Sequence, residues 1–241
     1  MPHFRILFIC CNCIKLLYIN PHSNIFNSLN FCILFWVKFT TGRNNSCTPN
    51  FHRTSASASL ASGIIALTLE ANPFLTWRDV QHIIVETASF KEVESSNDLM
   101  VNGVGRKVSP YFGFGLMNAA AMVTIAKTWS LVAPKFICAT VFGSMGDTKN
   151  TSQEFVEVSW STWTNGCNGT DHHITKLEHV QVNIILERRN ISDIEIYLQS
   201  SMSTDLLSSP LLTRTKILDS YNTISWVFNT VHFWGEDPTG I

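Results

Sequence analysis

No aspartate or glutamate occurs before Glu70. Whatever the first part of the chain does, it does without a side-chain carboxylate of its own. Charge is scarce elsewhere too, with Asp, Glu, Lys and Arg making up 15% of the 241 residues and a net charge of −1. A field that weak does not gather nucleic acid or anionic lipid by electrostatics alone, so no nucleic acid is expected as a partner. A long hydrophobic run is also missing. Ile6–Ile19, behind Arg5, has the flavour of a signal-peptide core, but Asn12 and Lys15 interrupt it and no small-residue cleavage site follows cleanly. It falls short of the roughly 20 apolar residues that cross a bilayer, and membrane association is not evident. Cysteine is sparse after residue 50, where only Cys138 and Cys167 occur. Among the earlier ones, Cys10, Cys11 and Cys13 lack the second pair that a zinc or redox motif requires.

What is present is ample apolar material, 45% of the residues, enough for one large domain or two modest ones. The first fifty residues are rich in Phe, Ile, Asn, Cys and Leu without a period of 3.6 or 2. Residues 1–46 are therefore expected to be foreign to the fold that follows. From Thr54 the pattern becomes orderly. Small and apolar residues from Ser57 to Leu69 predict a buried helix that Asn72-Pro73 ends. Thr76 stands at an N-cap with Asp79 three residues on, and Trp77, Val80, Ile83, Ile84 and Thr87 supply a helical face. Gly103 and Gly105 punctuate a loop, Phe112 to Gly115 forms another, and an Ala-rich stretch from Leu116 to Thr128 predicts a third helix.

Beyond residues 130–135, the expected domain boundary, the signals change to period 2. Phe155, Val156, Val158 and Trp160 form one set; Val180, Val182, Ile184 and Leu186 a second; Ile194, Ile196 and Leu198 a third; Trp226 to Trp234 the last. The fold class expected is therefore α/β followed by an all-β sandwich. Asn-x-Ser/Thr triplets at Asn44, Asn150, Asn168 and Asn190 are candidate glycosylation sites and fit passage through the secretory pathway.

One segment has the makings of a nucleophile. Thr54-Ser55-Ala56-Ser57-Ala58 opens directly into a small-residue helix, which places a hydroxyl where backbone N–H groups and the helix dipole can stabilise a developing oxyanion. A serine run of this kind also starts many ordinary helices. It is accompanied by Gly63 to Pro73, Leu75 to His82, Asn102 to Ser109 and Phe112 to Leu116, and in the β half by Ile174 to Gln181, Arg188-Arg189 and Val231 to Pro238. In that order these motifs, from Cys47 to Gly240, resemble the furin-like proprotein convertases of the subtilisin superfamily, from the catalytic serine into the P domain.

The resemblance implies a subtilisin-like α/β fragment over 47–130 and a jelly-roll-like P domain over 135–241, truncated at its end with an open sheet edge. It implies calcium-dependent hydrolysis of secretory precursor polypeptides after paired basic residues, in the Golgi or beyond, by a protein secreted or anchored in full-length form. By position it makes Ser55 the nucleophile and pairs Cys138 with Cys167 in a disulfide, and it leaves Cys47 without its upstream partner. The aspartate and histidine of the triad should precede the serine. No acid does, and His3, His22 and His52 lack the His-Gly-Thr setting of the family. Arg53 stands where the family has glycine and Ser59 where it has proline, and Asn190 to Asp193 replaces a tighter Gly-Asp. No calcium site can be identified. The chain alone is expected to be inactive, its first half poorly folded in isolation. Two readings stay open: a piece of a genuine serine endopeptidase, or a degenerate homologue that at most binds or regulates a protein. His172-His173 and Arg188-Arg189 are expected to be a solvent-exposed turn and a strand end.

Overall fold

The structure is a computed structural model that describes residues 40–41, 47–48, 54–91, 99–141, 159–187, 195–202, 208–212 and 223–240. Two short strands, β1 (Thr40–Thr41) and β2 (Cys47–Thr48), pair antiparallel at the start. Helix α1 (Thr54–Ala71) follows, then α2 (Trp77–Thr87), the hairpin β3 (Met100–Val101) and β4 (Lys107–Val108), and α3 (Ala119–Ala126). The second half holds β5 (Thr164–Asn165), β6 (Val180–Glu187), β7 (Ile196–Gln199), β8 (Ser208–Leu212), β9 (Thr223–Thr230) and β10 (Thr239–Gly240).

Helix α1 begins three residues earlier and ends two later than Ser57–Leu69, and it is buried on one face rather than all round. Ser57, Ala58, Ala61, Ile65 and Thr68 face inward, a spacing of three, four and three, while Leu60 and Leu67 are 40% and 52% exposed. Thr68 Oγ1 and Ser62 Oγ donate back to the Ile64 and Ala58 carbonyls, so both hydroxyls are satisfied within the helix. Asn72 ends it: its side-chain amide donates to Ala126 O at 2.9 Å and thereby ties the end of α1 to the end of α3.

Helix α2 is capped as expected, with Thr76 Oγ1 accepting from Asp79 N and Asp79 Oδ2 accepting from Thr76 N. It is the central helix, with Asp79, Val80, Gln81, Ile83, Ile84 and Val85 all buried. Helix α3 is shorter than Leu116–Thr128. Leu116 exchanges two backbone hydrogen bonds with Ser89, which holds it extended, and Asn118 caps the helix by accepting from Ala121 N. That exchange requires Gly115, whose φ is +108° and where a Cβ would lie 2.6 Å from Ser89 O.

All strand pairs among the described residues are antiparallel, so no parallel pair of the kind an α/β fold usually carries occurs among them. β3 and β4 are joined directly through the Gly103–Gly105 turn, and a direct return reverses the chain where parallel pairing would need a crossover. In the second half β6 pairs with β9 along its whole length, from Val180 opposite Thr230 to Glu187 opposite Thr223, while β7 pairs with β8 and β5 with β10. The last expected strand, Trp226–Trp234, ends at Thr230. Val231 to Glu236 turns instead, through Trp234 N to Val231 O and Glu236 N to Phe233 O, so that consecutive residues 231–234 can all be buried. Trp160 lies outside any strand, and Phe155, Val156, Val158 and Ile194 lie outside the described residues.

A single buried cluster joins the halves. Ala61, Ile65, Ile83, Ile84, Phe114 and Met122 from the first pack with Val231, Phe233 and Trp234 from the second. The helices thus close their core with residues from the far end of the chain. Gly115→Ala should destabilise the protein by about 2 kcal/mol or more, because strain at positive φ adds to a backbone clash, and chemical denaturation will read it as a lowered midpoint.

Candidate functional site

Ser55 is the second residue of α1, in its first turn, so its backbone stands where the helix dipole is positive. Its side chain lies outside the described residues, as do His3, His22 and His52, and Asn44, Asn150, Asn190 and Arg188-Arg189. Asn168 is exposed in a turn after Cys167, which is disulfide-bonded to Cys138. His172 and His173 are exposed in the turn that follows. Among the described residues no three His, Cys, Asp or Glu side chains gather as a metal ion held by such groups would require.

The helix that carries Ser55 packs on α3, α3 packs on α2, and α2 carries the polar contacts to the second half. Arg78 on α2 donates two hydrogen bonds to Glu178, Nη2 to Oε1 at 2.5 Å and Nε to Oε2 at 3.0 Å, and a third to Ala133 O at 2.5 Å. His82, one helical turn on, approaches the same Glu178 Oε1 at 2.9 Å. A carboxylate only accepts, so His82 Nε2 carries a proton here. Burial opposes the Glu178 charge, but hydrogen bonds from His82 and Arg78 and the Arg78 guanidinium overcome it and hold the carboxyl down at about 2.

Beside this ion pair stands Trp234, with the rings of His82, His179 and Phe114 packed edge-on at 4.8, 5.7 and 6.4 Å. Asp79 serves twice. Besides capping α2 it accepts from Trp129 Nε1 at 3.0 Å and Val132 N at 2.8 Å, which pins the start of the linking segment to the helix. These bonds outweigh the cost of its burial and keep its carboxyl below the usual range.

The β3–β4 turn makes the other half of the junction. Asn102 Nδ2 donates to His232 O at 3.1 Å and Trp234 O at 3.0 Å, while its Oδ1 accepts from Val104 N and Arg106 N. Gly103 N donates to Glu236 Oε1 at 2.7 Å, and Ser200 Oγ donates to Glu236 Oε2. Gly103 has no alternative: a Cβ there would meet Met202 Cβ at 2.5 Å.

Two histidines lie against these contacts, His179 half-buried and His232 buried. His179 Nε2 bonds Gln81 Oε1 at 3.1 Å across the junction, and its Nδ1 is buried without a partner. His232 Nδ1 bonds Ser209 Oγ at 2.9 Å, and its Nε2 is likewise buried and unpaired. Burial pushes both imidazoles down to about 4, with the nearby Lys135 charge assisting at His179. Neither ring can gain a proton without leaving a buried N–H unsatisfied.

The α2 cap and the Cys138–Cys167 pairing match the sequence expectations, whereas the sequence does not single out Arg78, Glu178, Asn102, Trp234 or Glu236 for these roles. Their partners lie about a hundred residues or more away, and no periodicity reports a pairing of that range. Glu178→Ala should cost about 2 kcal/mol, because it leaves the half-buried Arg78 guanidinium without its counter-charge, and urea denaturation at neutral pH will measure it. The pH dependence has a definite sign. Both histidines take up protons more readily when unfolded, so stability falls as pH drops below about 6.5 and goes on falling to about 4, by on the order of 3 kcal/mol at His232. Glu178 adds a further loss between about 4.5 and about 2. Thermal melts of the wild type and His232→Gln across this range should converge at low pH.

Residues 37–115 match the Subtilase family and residues 177–241 match the Proprotein convertase P-domain. The first match begins ahead of Cys47. Human furin is 41% identical over 201 residues, covering 83% of this chain and 24% of furin, and Furin-like protease 2 of Drosophila melanogaster is 41% identical over 202 residues, covering 80% and 11%. The human Proprotein convertase subtilisin/kexin type 4 is 39% identical over 202 residues, covering 84% and 26%. The chain therefore spans about a quarter, or less, of the length of these relatives. A crystal structure of the serine protease of Aeromonas sobria superposes with a TM-score of 0.53 at 17% identity, over 81% of this chain and 37% of that one, which shows the same fold. With a subtilase segment leading into a convertase P-domain segment, the chain belongs to the furin-like proprotein convertases of the subtilisin superfamily.

Proposed function

We propose that these 241 residues are the serine-bearing part of a serine endopeptidase that cleaves secretory precursors after paired basic residues. Ser55 is its nucleophile. What supports this is the position of Ser55 in the first turn of α1, within a segment that matches the Subtilase family and leads into a P-domain match. In the reaction Ser55 Oγ attacks the scissile carbonyl, a histidine accepts the proton, and an aspartate orients that histidine. Backbone N–H groups at the start of α1 lie on the side where the tetrahedral oxyanion forms.

The acid and base come from outside the matched segment. No carboxylate precedes Ser55 in this sequence, and His52 is only three residues from it, too close to approach from a separate element. Calcium dependence belongs to the whole protein and is assigned to no residue here. The chain divides near residues 130–135 into a peptidase part and a P domain, whose β6–β9, β7–β8 and β5–β10 ladders belong to a jelly-roll-like sandwich. Asn168, and Asn44, Asn150 and Asn190 with it, are glycan acceptors in the secretory pathway.

A second reading has Arg53 and Ser59 in its favour. A side chain at position 53, where relatives of this kind have glycine, resists close backbone approach to the nucleophile turn, and a chain so altered serves as a protein-binding module. Hydrolysis of a fluorogenic Arg-x-Lys-Arg peptide in calcium, beside Ser55→Ala, tests the first reading. The chain as given should release no fluorophore above the Ser55→Ala control. Adding the upstream Asp and His segment of a furin should restore turnover that Ser55→Ala abolishes, and its failure to do so would favour the second reading.

A further inference from the structure

We propose that Asn102-Gly103 is a latent deamidation site, kept unreactive by the docking of residues 231–236 and, once reacted, a permanent block to that docking. Two independent constraints of the junction impose this dipeptide. Position 103 must be glycine, since a Cβ would stand 2.5 Å from Met202 Cβ and 3.2 Å from Glu236 Cδ. Position 102 must offer two donors and an acceptor on one short side chain, because the carbonyls of His232 and Trp234 and the amides of Val104 and Arg106 all turn to it. Asparagine followed by glycine answers both demands. It is also the pairing in which the next backbone nitrogen reaches the side-chain carbonyl most freely, since no Cβ obstructs it.

In the reaction Gly103 N bonds to Asn102 Cγ and the Cγ–Nδ2 bond breaks. Nδ2 leaves as ammonia with the proton from Gly103 N, and a succinimide remains. Water then opens the imide, at Cγ to give aspartate or at the backbone carbonyl to give isoaspartate. In the docked structure every reacting group is occupied. Asn102 is 3% exposed, its amide is fixed by four hydrogen bonds, and Gly103 N is held by Glu236. Only undocking frees the nitrogen and lets the side chain rotate.

The product cannot return. A carboxylate at 102 has no N–H to give, so its oxygens would face the carbonyl oxygens of His232 and Trp234 at hydrogen-bond distance. Isoaspartate adds a backbone atom to the tight β3–β4 turn as well. The junction therefore records whether it has ever been open for long.

The full chain, folded and in urea, is incubated at neutral pH and mapped by proteolysis and mass spectrometry for succinimide, aspartate and isoaspartate at residue 102. Modification should be at least about ten-fold slower in the folded chain, since it must await local opening. Glu236→Ala, which releases Gly103 N, should raise the folded-state rate. Independently, Asn102→Asp, which mimics the product, should lower the melting temperature, while Asn168→Asp in its exposed turn should not. Equal rates in the folded and unfolded chain, or an Asn102→Asp variant that melts with the wild type, would overturn the proposal.

Discussion

The turn at Val231–Glu236, seated between α2 and the Gly103 loop, is the contact on which the rest of the structure depends. Its Val231, Phe233 and Trp234 enter the core that the helices begin, its carbonyls at 232 and 234 are held by Asn102, and its Glu236 receives Gly103 N. Remove it and Ile83, Ile84 and Phe114 lose their cover on one side. The burial of Trp234 and Phe233 supplies the driving force, several kcal/mol by area alone. The polar clasp supplies the register, because amide and carbonyl partners accept few alternatives where apolar packing accepts many.

Around that turn the electrostatics are arranged so that few buried charges stand alone. Glu178 meets a bidentate arginine and a histidine, and the Asp79 carboxylate meets four donors, Thr76 N, Thr76 Oγ1, Trp129 Nε1 and Val132 N. His179 and His232 solve the problem differently, by staying neutral. The result is a junction comfortable at neutral pH and increasingly costly as protons become available, with the histidines on the second-half side of the contact and helix α2 on the other.

Local features were the legible ones. The Thr76–Asp79 box can be read from four letters, because a cap is satisfied within one turn, and the β6 alternation reports its own inward face. The errors lay where a distant partner overrides a local pattern. Leu116 continues the apolar run of α3, yet Ser89 captures its backbone. Trp226 to Trp234 alternates well enough for a strand, yet the core needs residues 231 to 234 together and bends the chain after Thr230. The helix expected to be wholly buried keeps Leu60 and Leu67 exposed, since composition says that a helix is apolar and not how many neighbours surround it. The junction followed the same division: Arg78, Glu178 and Asn102 acquire their roles only through residues far along the chain.

A core built jointly by both family segments has a consequence for inheritance and for engineering. The seam between the two matched segments, the first ending at residue 115 and the second beginning at residue 177, divides families and not the packing. A P segment transplanted from one relative to another must find an arginine to meet its Glu178, an asparagine to hold its two carbonyls and a glycine that leaves room for its Met202. The interchangeable part is therefore the matched pair of surfaces, and a chimera that respects the seam but ignores the clasp joins two pieces that have no reason to fit.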